Sequence, residues 1–290
     1  MSICILTYLS VNCQICDTTY MNCSAWLRQA ERKLVRHGIG TARLDSLVLL
    51  EDVLGVDRAR LLAEPDLEIT PTQRRELNNL LNRRCSHEPL AYVRGKTEFY
   101  GRVFVVSPAV LEPRPESETM IALLKKLPDL PFDPSLADIG TGSGAIGITA
   151  QLELPQAKVE LIDIDKEALK ITKINVDLFT LSISIKQSDL LKDVSTSYDV
   201  LLCNLPYVPD EFVINQAASY EPRIAIFGGP DGLDLYRKLF AQLQKRPSKP
   251  LYILSESLPS QHSALTEIAC RNGYELFQVD DFIQVFRISA

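Results

Sequence analysis

The spacing of hydrophobic residues is helical in the first third of the chain. From Ser24 to about residue 90, apolar residues recur at intervals of three and four, which predicts a small bundle of helices. Ser24 can cap the first helix and Gly38 suits its end, while Thr70 followed by Pro71 indicates another helix start. The predicted helices cover residues 24–38, 44–54, 58–63 and 70–85.

The pattern changes between about residues 92 and 107. The aromatic and β-branched residues from Phe99 to Val106 predict a β-hairpin or an extended linker. After this segment, Pro113 and Pro115 keep the chain extended until a helix begins near Glu116. The segment therefore joins the helical region to the rest of the chain.

From Leu136 onward, short apolar runs alternate with amphipathic helical stretches. The predicted strands are 136–139, 158–163, 183–187, 199–203, 251–255, 275–279 and 284–288, and the helices between them are 144–153, 166–179, 232–245 and 260–272. This alternation predicts an α/β domain with a mostly parallel seven-stranded sheet, helices on both faces and an antiparallel hairpin at one edge. Ligands of such sheets bind at the carboxyl ends of the strands.

Composition narrows the class of protein. With 290 residues, of which 46% are hydrophobic, the chain can fill one large core and a smaller one. A formal net charge of −6 argues against a strong, sequence-independent grip on nucleic acid, which needs clustered cations. No apolar stretch is long enough to cross a membrane. We therefore expect a cytosolic protein.

The first residues do not fit the pattern that follows. The pair Cys13 and Cys16 has metal-ligand spacing, but no second pair follows nearby, so no metal site is predicted. The apolar run at residues 3–11 has no preceding Lys or Arg, which disfavours a signal peptide. We expect residues 1–20 to be an extension, with Met21 as an alternative functional start.

A glycine-rich loop follows the first strand of the α/β region. In Asp138–Gly144, three glycines let the backbone approach a ligand closely. The stretch also contains Gly142-x-Gly144-x-x-Gly147, a dinucleotide-binding fingerprint that is weak when it stands alone. Asp163, at the end of the next strand, can accept the ribose hydroxyls of either NAD or S-adenosylmethionine. The loop alone leaves both ligands open.

The run from Asn204 to Tyr207 separates these two ligands. Oδ1 of Asn204 and the carbonyl of Leu205 can accept the two N–H groups of an amide, while Tyr207 stacks on the planar group. A nicotinamide oxidoreductase does not need this set, although Asn-x-Pro is also common turn chemistry. The run therefore favours a methyl acceptor that is a neutral amine or amide nitrogen.

Four further motifs carry a family resemblance. They are Glu88–Tyr92, Gly95–Gly101, Leu111–Glu118 and Tyr220–Leu233, the last being the most discriminating. From residue 24 to about 279, the sequence resembles the protein-(glutamine-N5) methyltransferases, the HemK/PrmC family that acts on peptide-chain release factors. The resemblance implies a Rossmann-like class I methyltransferase domain, S-adenosylmethionine as cofactor, a helical substrate-recognition domain and a β-hairpin linker. The implied division is 1–20 extension, 21–91 helical domain, 92–112 linker and 113–290 methyltransferase domain.

The resemblance also implies the site residues. The cofactor-binding residues would be Gly140, Thr141, Gly142, Ser143, Gly144, Asp163, Asp189, Leu190 and Asn204. The catalytic and substrate-binding residues would be Asn204, Leu205, Pro206 and Tyr207, joined for substrate binding by Arg114 and Pro115. The acceptor would be the glutamine of the release factor Gly-Gly-Gln motif. We expect no metal, no membrane, no stable nucleic-acid partner, and a monomer in the cytoplasm.

Several positions depart from the family pattern. Leu205 stands where the family usually has proline, and Asn-Leu-Pro-Tyr also occurs in adenine-N6 dimethyltransferases of ribosomal RNA. The acidic balance and the run at residues 220–233 argue against an adenine-N6 methyltransferase of RNA or DNA. Glu112, Leu258 and Ile283 also differ from the pattern, which indicates a divergent member. A cofactor-binding protein without catalysis is the third hypothesis.

Overall fold

The computed structural model describes residues 21–289. The predicted extension, with Cys13 and Cys16, lies outside the described residues. The chain divides into two compact units, of which one ends at Ser86 and the other begins at His87. No helix within residues 21–289 is long and apolar enough to cross a membrane.

The described residues form ten α-helices and nine β-strands. The helices are α1 Cys23–Arg36, α2 Ala42–Leu54, α3 Arg58–Ala63, α4 Pro71–Cys85, α5 Leu90–Arg94, α6 Glu118–Leu124, α7 Ala145–Glu153, α8 Lys166–Leu178, α9 Asp234–Gln244 and α10 His262–Arg271. The strands are β1 Lys96–Phe99, β2 Arg102–Val105, β3 Ser135–Ile139, β4 Lys158–Asp163, β5 Ser184–Gln187, β6 Val200–Cys203, β7 Tyr252–Glu256, β8 Tyr274–Asp280 and β9 Ile283–Ile288.

The first helix begins earlier than the sequence predicts. Asn22, in extended backbone, caps α1 by accepting a hydrogen bond from the backbone N–H of Ala25 at 2.9 Å. Ser24 is already helical and its hydroxyl donates to Oδ1 of Asn22, so the prediction of a Ser24 cap is wrong. The helix buries Trp26 and Leu34 on one face and ends before Gly38, whose φ is +75°. A glycine suits that left-handed position.

The predicted start of α4 is confirmed. Thr70 and Gln73 form a capping box: Thr70 Oγ1 accepts from the Gln73 backbone N–H, and Gln73 Oε1 accepts from the Thr70 backbone N–H at 3.0 Å. Pro71 occupies the first turn, where its missing N–H costs no hydrogen bond.

Thr70→Ala is expected to lower the stability of the helical unit by about 1 kcal/mol, because the Gln73 N–H loses its acceptor. Urea unfolding of the full chain, followed by far-UV circular dichroism, measures the change. Thr72→Ala, on the same exposed first turn, is the matched control. Equal unfolding midpoints for the two variants would show that the cap contributes nothing.

A two-stranded hairpin follows the first unit. Strands β1 and β2 pair antiparallel, and the turn residues Tyr100 and Gly101 both have positive φ, +51° and +68°. Positive φ at both central residues is the geometry of the tight turns that match strand twist. The hairpin prediction is confirmed. The five-residue helix α5, which ends at left-handed Gly95, was not predicted because it is too short to show a period.

The main sheet has the strand order β5-β4-β3-β6-β7-β9-β8. Strands β3 to β7 are parallel, and β9 pairs antiparallel with both β7 and β8. The predicted mostly parallel seven-stranded sheet with an antiparallel edge hairpin is confirmed. From β3 the chain moves outward through β4 and β5, and then returns to the other side of β3 as β6. Such a reversal opens a crevice at the carboxyl ends of the two central strands.

Helices cover both faces of this sheet. Alternate residues of β6 enter different hydrophobic clusters: Val200 and Leu202 pack on one side, and Leu201 and Cys203 on the other. All four are fully buried. A strand buried on both faces reads as a continuous apolar run, which is why β6 shows no alternation in the sequence.

Candidate functional site

The glycine loop lies at the carboxyl end of the central strand β3. Gly140, Gly142 and Gly144 have φ values of +71°, +56° and +84°, which L side chains rarely adopt. The backbone N–H groups of Gly140 and Thr141 donate to the carbonyl of Ile162 on β4, at 2.8 and 3.0 Å. The loop therefore turns sharply and leaves its backbone accessible to a ligand.

The buried carboxylate of Asp138 stabilises the glycine loop through hydrogen bonds. Oδ2 of Asp138 accepts from the Thr141 hydroxyl at 2.6 Å and from the Gly147 N–H at 2.9 Å. Burial raises the pKa of Asp138 to about 6, against the two hydrogen bonds, which lower it. A Cβ on Gly147 would lie 2.2 Å from a Leu161 methyl, so this glycine is required by packing. Part of the dinucleotide-like spacing therefore reflects helix-to-sheet contact.

Asp163, at the end of β4, connects the loop to the next strand. One carboxylate oxygen accepts from the Gly142 N–H and the other from the Asp165 N–H, both at 2.9 Å. Burial raises the pKa of Asp163, and these N–H bonds oppose the rise. A carboxylate in this place can still accept hydrogen bonds from ligand hydroxyls with its remaining lone pairs.

A cavity of about 220 Å³ lies over these strand ends. Most of the predicted site residues line it: Gly140, Thr141, Gly142, Ser143, Asp163, Asp189, Leu190, Asn204, Leu205 and Pro206. The structure thus brings together the glycine loop, the acidic strand end and the Asn204 run.

Four other predicted residues are not among those that line this cavity. Gly144 precedes α7, with no room for a side chain beside Ile148. Arg114 forms a 2.6 Å ion pair with buried Glu221, and Pro115 begins a short 3₁₀ turn at residues 115–117. The Tyr207 hydroxyl donates to Glu256. The site roles of these four residues, like those of the residues that line the cavity, stay predictions.

Asn204 directly faces the glycine loop. Its preceding residue Cys203 pairs in register with Ile139, the residue before Gly140. The two chains approach so closely that a Cβ on Gly140 would lie 3.2 Å from a Leu205 methyl. Sheet register therefore fixes the distance between the cofactor loop and the asparagine turn.

Hydrogen bonds orient the Asn204 side chain. Its Nδ2 donates to Oγ of Ser117 at 3.0 Å, and the Ser117 hydroxyl donates to Oε2 of Glu256 at 2.5 Å. The Tyr207 hydroxyl donates to the other Glu256 oxygen at 3.0 Å. Within residues 21–289, no hydrogen bond to Oδ1 of Asn204 is present, so this oxygen is available as an acceptor.

Glu256 is only 1% exposed, and burial raises the pKa of its carboxyl group. The bonds from Ser117 and Tyr207 lower that pKa, and the nearby Asn204 amide acts in the same direction. Sequence analysis missed the parts played by Ser117 and Glu256. The position of Glu256 at the carboxyl end of a strand beside β6 was the available signal.

The remaining wall comes from segments that the sequence did not assign to the site. Pro222, Ile224 and Ala225 line the cavity from within the discriminating 220–233 run. Other unassigned lining residues include Phe99, Leu111, Ile164, Leu235 and Lys238. The Lys238 ammonium bonds the carboxylate of Asp189 at 2.5 Å, so that predicted cofactor residue is already paired.

Comparison with known proteins decides the family. The PrmC N-terminal domain model matches residues 25–95, and the methyltransferase small domain model matches residues 117–219. A release factor glutamine methyltransferase of Koribacter versatilis is 36% identical over 75% of this chain and 81% of that protein. The chain belongs to the release factor glutamine methyltransferase family.

A second member of the release factor glutamine methyltransferase family has a similar sequence identity and coverage. The Bacteroides thetaiotaomicron enzyme is 36% identical over 71% of this chain and 77% of its own length. A methyltransferase structure from Pyrococcus furiosus superposes only loosely, with 19% identity, a TM-score of 0.49, and coverage of 75% of this chain and 99% of that one. The predicted family and fold class are confirmed, and with them S-adenosylmethionine as cofactor.

The cavity fits that cofactor. Asp163 would supply a carboxylate for ribose hydroxyls, the glycine loop would supply accessible backbone for the methionine end, and Ile164 and Leu190 would supply apolar surface for a purine. Among residues 21–289 no group of three side chains suited to a metal ion occurs.

Proposed function

We propose that the protein transfers a methyl group from S-adenosylmethionine to the side-chain amide nitrogen of a glutamine, the one in the Gly-Gly-Gln motif of a peptide-chain release factor. The observation that carries this proposal is the orientation of Asn204, whose nitrogen is bonded to Ser117 and whose oxygen is left as an acceptor beside the glycine loop. Family membership supports the same reaction and substrate.

An amide nitrogen is a poor nucleophile because its lone pair is delocalised into the carbonyl. S-adenosylmethionine supplies the methyl group as an activated sulfonium. Oδ1 of Asn204 and the carbonyl of Leu205 accept the two N–H groups of the glutamine and so aim the nitrogen. Orientation of this kind contributes several kcal/mol, and the same oxygens stabilise positive charge that develops on nitrogen, by about 2 to 4 kcal/mol. The methylated nitrogen then loses one N–H proton to solvent, so we assign no general base.

The other residues have supporting roles in this proposal. The loop from Gly140 to Gly144 and Asp163 hold the cofactor, with Asp189 and Leu190 at its adenine. Pro206 stiffens the turn, and the Tyr207 ring closes the acceptor pocket while its hydroxyl stays on Glu256. Arg114 and Pro115 lie along the substrate path.

The helical region, residues 21–91, recognises the release factor; residues 92–112 link it to the methyltransferase domain, 113–290. The protein works as a monomer in the cytoplasm, without stable nucleic-acid binding.

The test uses the purified chain, methyl-labelled S-adenosylmethionine, a release factor and ribosomal RNA in parallel reactions. We expect label in the release factor alone, and mass spectrometry that locates one methyl group on the Gly-Gly-Gln glutamine. A release factor with that glutamine changed to alanine is the matched substrate control. Label in RNA would overturn the proposal in favour of an adenine methyltransferase, and cofactor binding without transfer to either would indicate a binding protein.

A further inference from the structure

Three polar side chains from distant parts of the chain form a line that ends at the acceptor site. Nδ2 of Asn204 donates to Ser117, and Ser117 donates to Glu256, which follows it by 139 residues. Ser117 is 2% exposed and Glu256 is 1% exposed. We call this line the Asn204–Ser117–Glu256 chain.

The carboxylate of Glu256 sets the direction of both hydrogen bonds in the Asn204–Ser117–Glu256 chain. The Ser117 hydroxyl has a single proton, and it donates that proton to the Glu256 carboxylate. Ser117 then offers only lone pairs to Asn204, which must turn its NH₂ group inward. The amide oxygen of Asn204 is left on the outer side, where a substrate N–H needs an acceptor.

Neighbouring bonds fix the position of Glu256. Its second oxygen accepts from the Tyr207 hydroxyl. The Tyr236 hydroxyl lies 2.6 Å from the Glu256 carbonyl and 2.9 Å from the Cys203 carbonyl, so it bridges the ends of β7 and β6. Reversing the direction of a hydrogen bond in such a buried place costs free energy, because the donor or acceptor left without a partner cannot bond to water instead.

We propose that Glu256 is a positioning residue for methyl transfer, which acts through Ser117 to hold Asn204 with its oxygen toward the acceptor nitrogen. This inference rests on the proposed function. It gives a role to a carboxylate that does not itself line the cavity, and it explains why that carboxylate lies buried beside the asparagine turn.

The first test is Glu256→Gln in the full chain, assayed with S-adenosylmethionine and the release factor. The side-chain amide of a glutamine can point either its oxygen or its NH₂ group at Ser117, so the direction of the hydrogen bonds from Ser117 to Asn204 is no longer fixed. We expect kcat to fall about 10- to 100-fold, as for other small losses of alignment, with the Kd for S-adenosylmethionine within about threefold of wild type. Ser117→Ala is expected to lower kcat to a similar extent, whereas Ser117→Thr, which keeps the hydroxyl, retains most of it.

The second test reverses the donor and acceptor roles in the hydrogen bonds that join positions 204, 117 and 256. In Asn204→Asp, the new carboxylate faces the lone pairs of Ser117 and the charge of Glu256, so we expect little turnover. In the double variant Asn204→Asp with Glu256→Gln, the new glutamine can donate to Ser117, and Ser117 can donate to the carboxylate introduced at position 204, which leaves one acceptor oxygen outward. We expect kcat at least about tenfold above that of Asn204→Asp alone, a coupling that independent sites do not show.

Glu153→Gln is the matched control, because Glu153 is also a shielded carboxylate but bonds Arg102 and Lys125 and does not line the cavity. It should leave kcat unchanged and give no rescue of Asn204→Asp. Wild-type turnover from Glu256→Gln together with an unrescued double variant would overturn the inference while the proposed function stands.

A measurement without turnover covers the case in which wild type methylates no release factor. The side-chain amide ¹H–¹⁵N signals of Asn204, assigned by their loss in Asn204→Ala, report its hydrogen bonds. We expect these signals to shift in Glu256→Gln and Ser117→Ala but not in Glu153→Gln. Unshifted signals would overturn the positioning role independently of the substrate.

Discussion

Asn204→Ala is expected to lower kcat for release-factor methylation by about 10²- to 10³-fold, because one of the two acceptors that aim the glutamine nitrogen is removed. The Kd for S-adenosylmethionine should change little by comparison, since the glycine loop and Asp163, which line the same cavity, would make the other cofactor contacts. Single-turnover rates with labelled cofactor measure the chemical step, and equilibrium titration measures the Kd.

Asn272→Ala is a suitable control for this variant. Asn272 is the C-cap of α10 and its side chain donates to the Ile268 carbonyl; neither residue lines the cavity. Its kcat should equal that of wild type. If Asn204→Ala retained more than a tenth of the wild-type single-turnover rate, orientation by this side chain could not be the main source of catalysis, and the Leu205 carbonyl would become the principal acceptor.

Leu205 shows how the family pattern can change without loss of this geometry. Residue Leu205 is 1% exposed, and its side chain packs in the hydrophobic core, where one methyl group lies close to Gly140. In the proposed function the acceptor needs only the backbone carbonyl of Leu205, and proline and leucine both provide one. We expect core packing of the Leu205 side chain to stiffen the turn in place of a proline.

Much of this site was predictable because it depends on local signals. Three glycines at a strand end, an acidic residue after the next strand and the Asn204 run are each recognisable within a few residues. The rule that parallel strands present their carboxyl ends at one edge then brings them together. The reversal of strand order beside β3 puts Asn204, rather than another strand end, opposite the loop.

The parts that escaped prediction depend on contacts between distant segments. Ser117 and Glu256 are 139 residues apart, and neither position alone indicates a partner for Asn204. The ion pair of Arg114 with Glu221 similarly spans 107 residues, so the sequence did not show that this expected substrate residue is paired with a buried carboxylate. Asn22 took the capping position from Ser24 because both residue types cap helices and only backbone geometry distinguishes them.

Asp163→Ala is expected to weaken S-adenosylmethionine binding by about 100-fold or more, because hydrogen bonds to a charged group contribute about 1.5 to 3 kcal/mol each. The variant also loses the bond that holds the Gly142 N–H. Isothermal titration calorimetry measures the Kd, and thermal unfolding checks that the fold persists. Asp177→Asn, an exposed carboxylate on α8 paired with Lys173, is the control and should bind as wild type does.

Asp163→Asn is expected to weaken S-adenosylmethionine binding nearly as much, although asparagine has the same shape as aspartate. The two carboxylate oxygens accept from Gly142 and Asp165, and an amide offers an NH₂ group to one of these donors.

The pH dependence of S-adenosylmethionine binding gives an independent check on the role of Asp163. Burial and the nearby charge of Asp165 raise the pKa of Asp163, so wild-type affinity is complete above that pKa and falls as the pH drops through it, at less acidic pH than for an ordinary aspartate. A Kd for Asp163→Ala within threefold of wild type, with the same pH profile, would show that the ribose is held elsewhere.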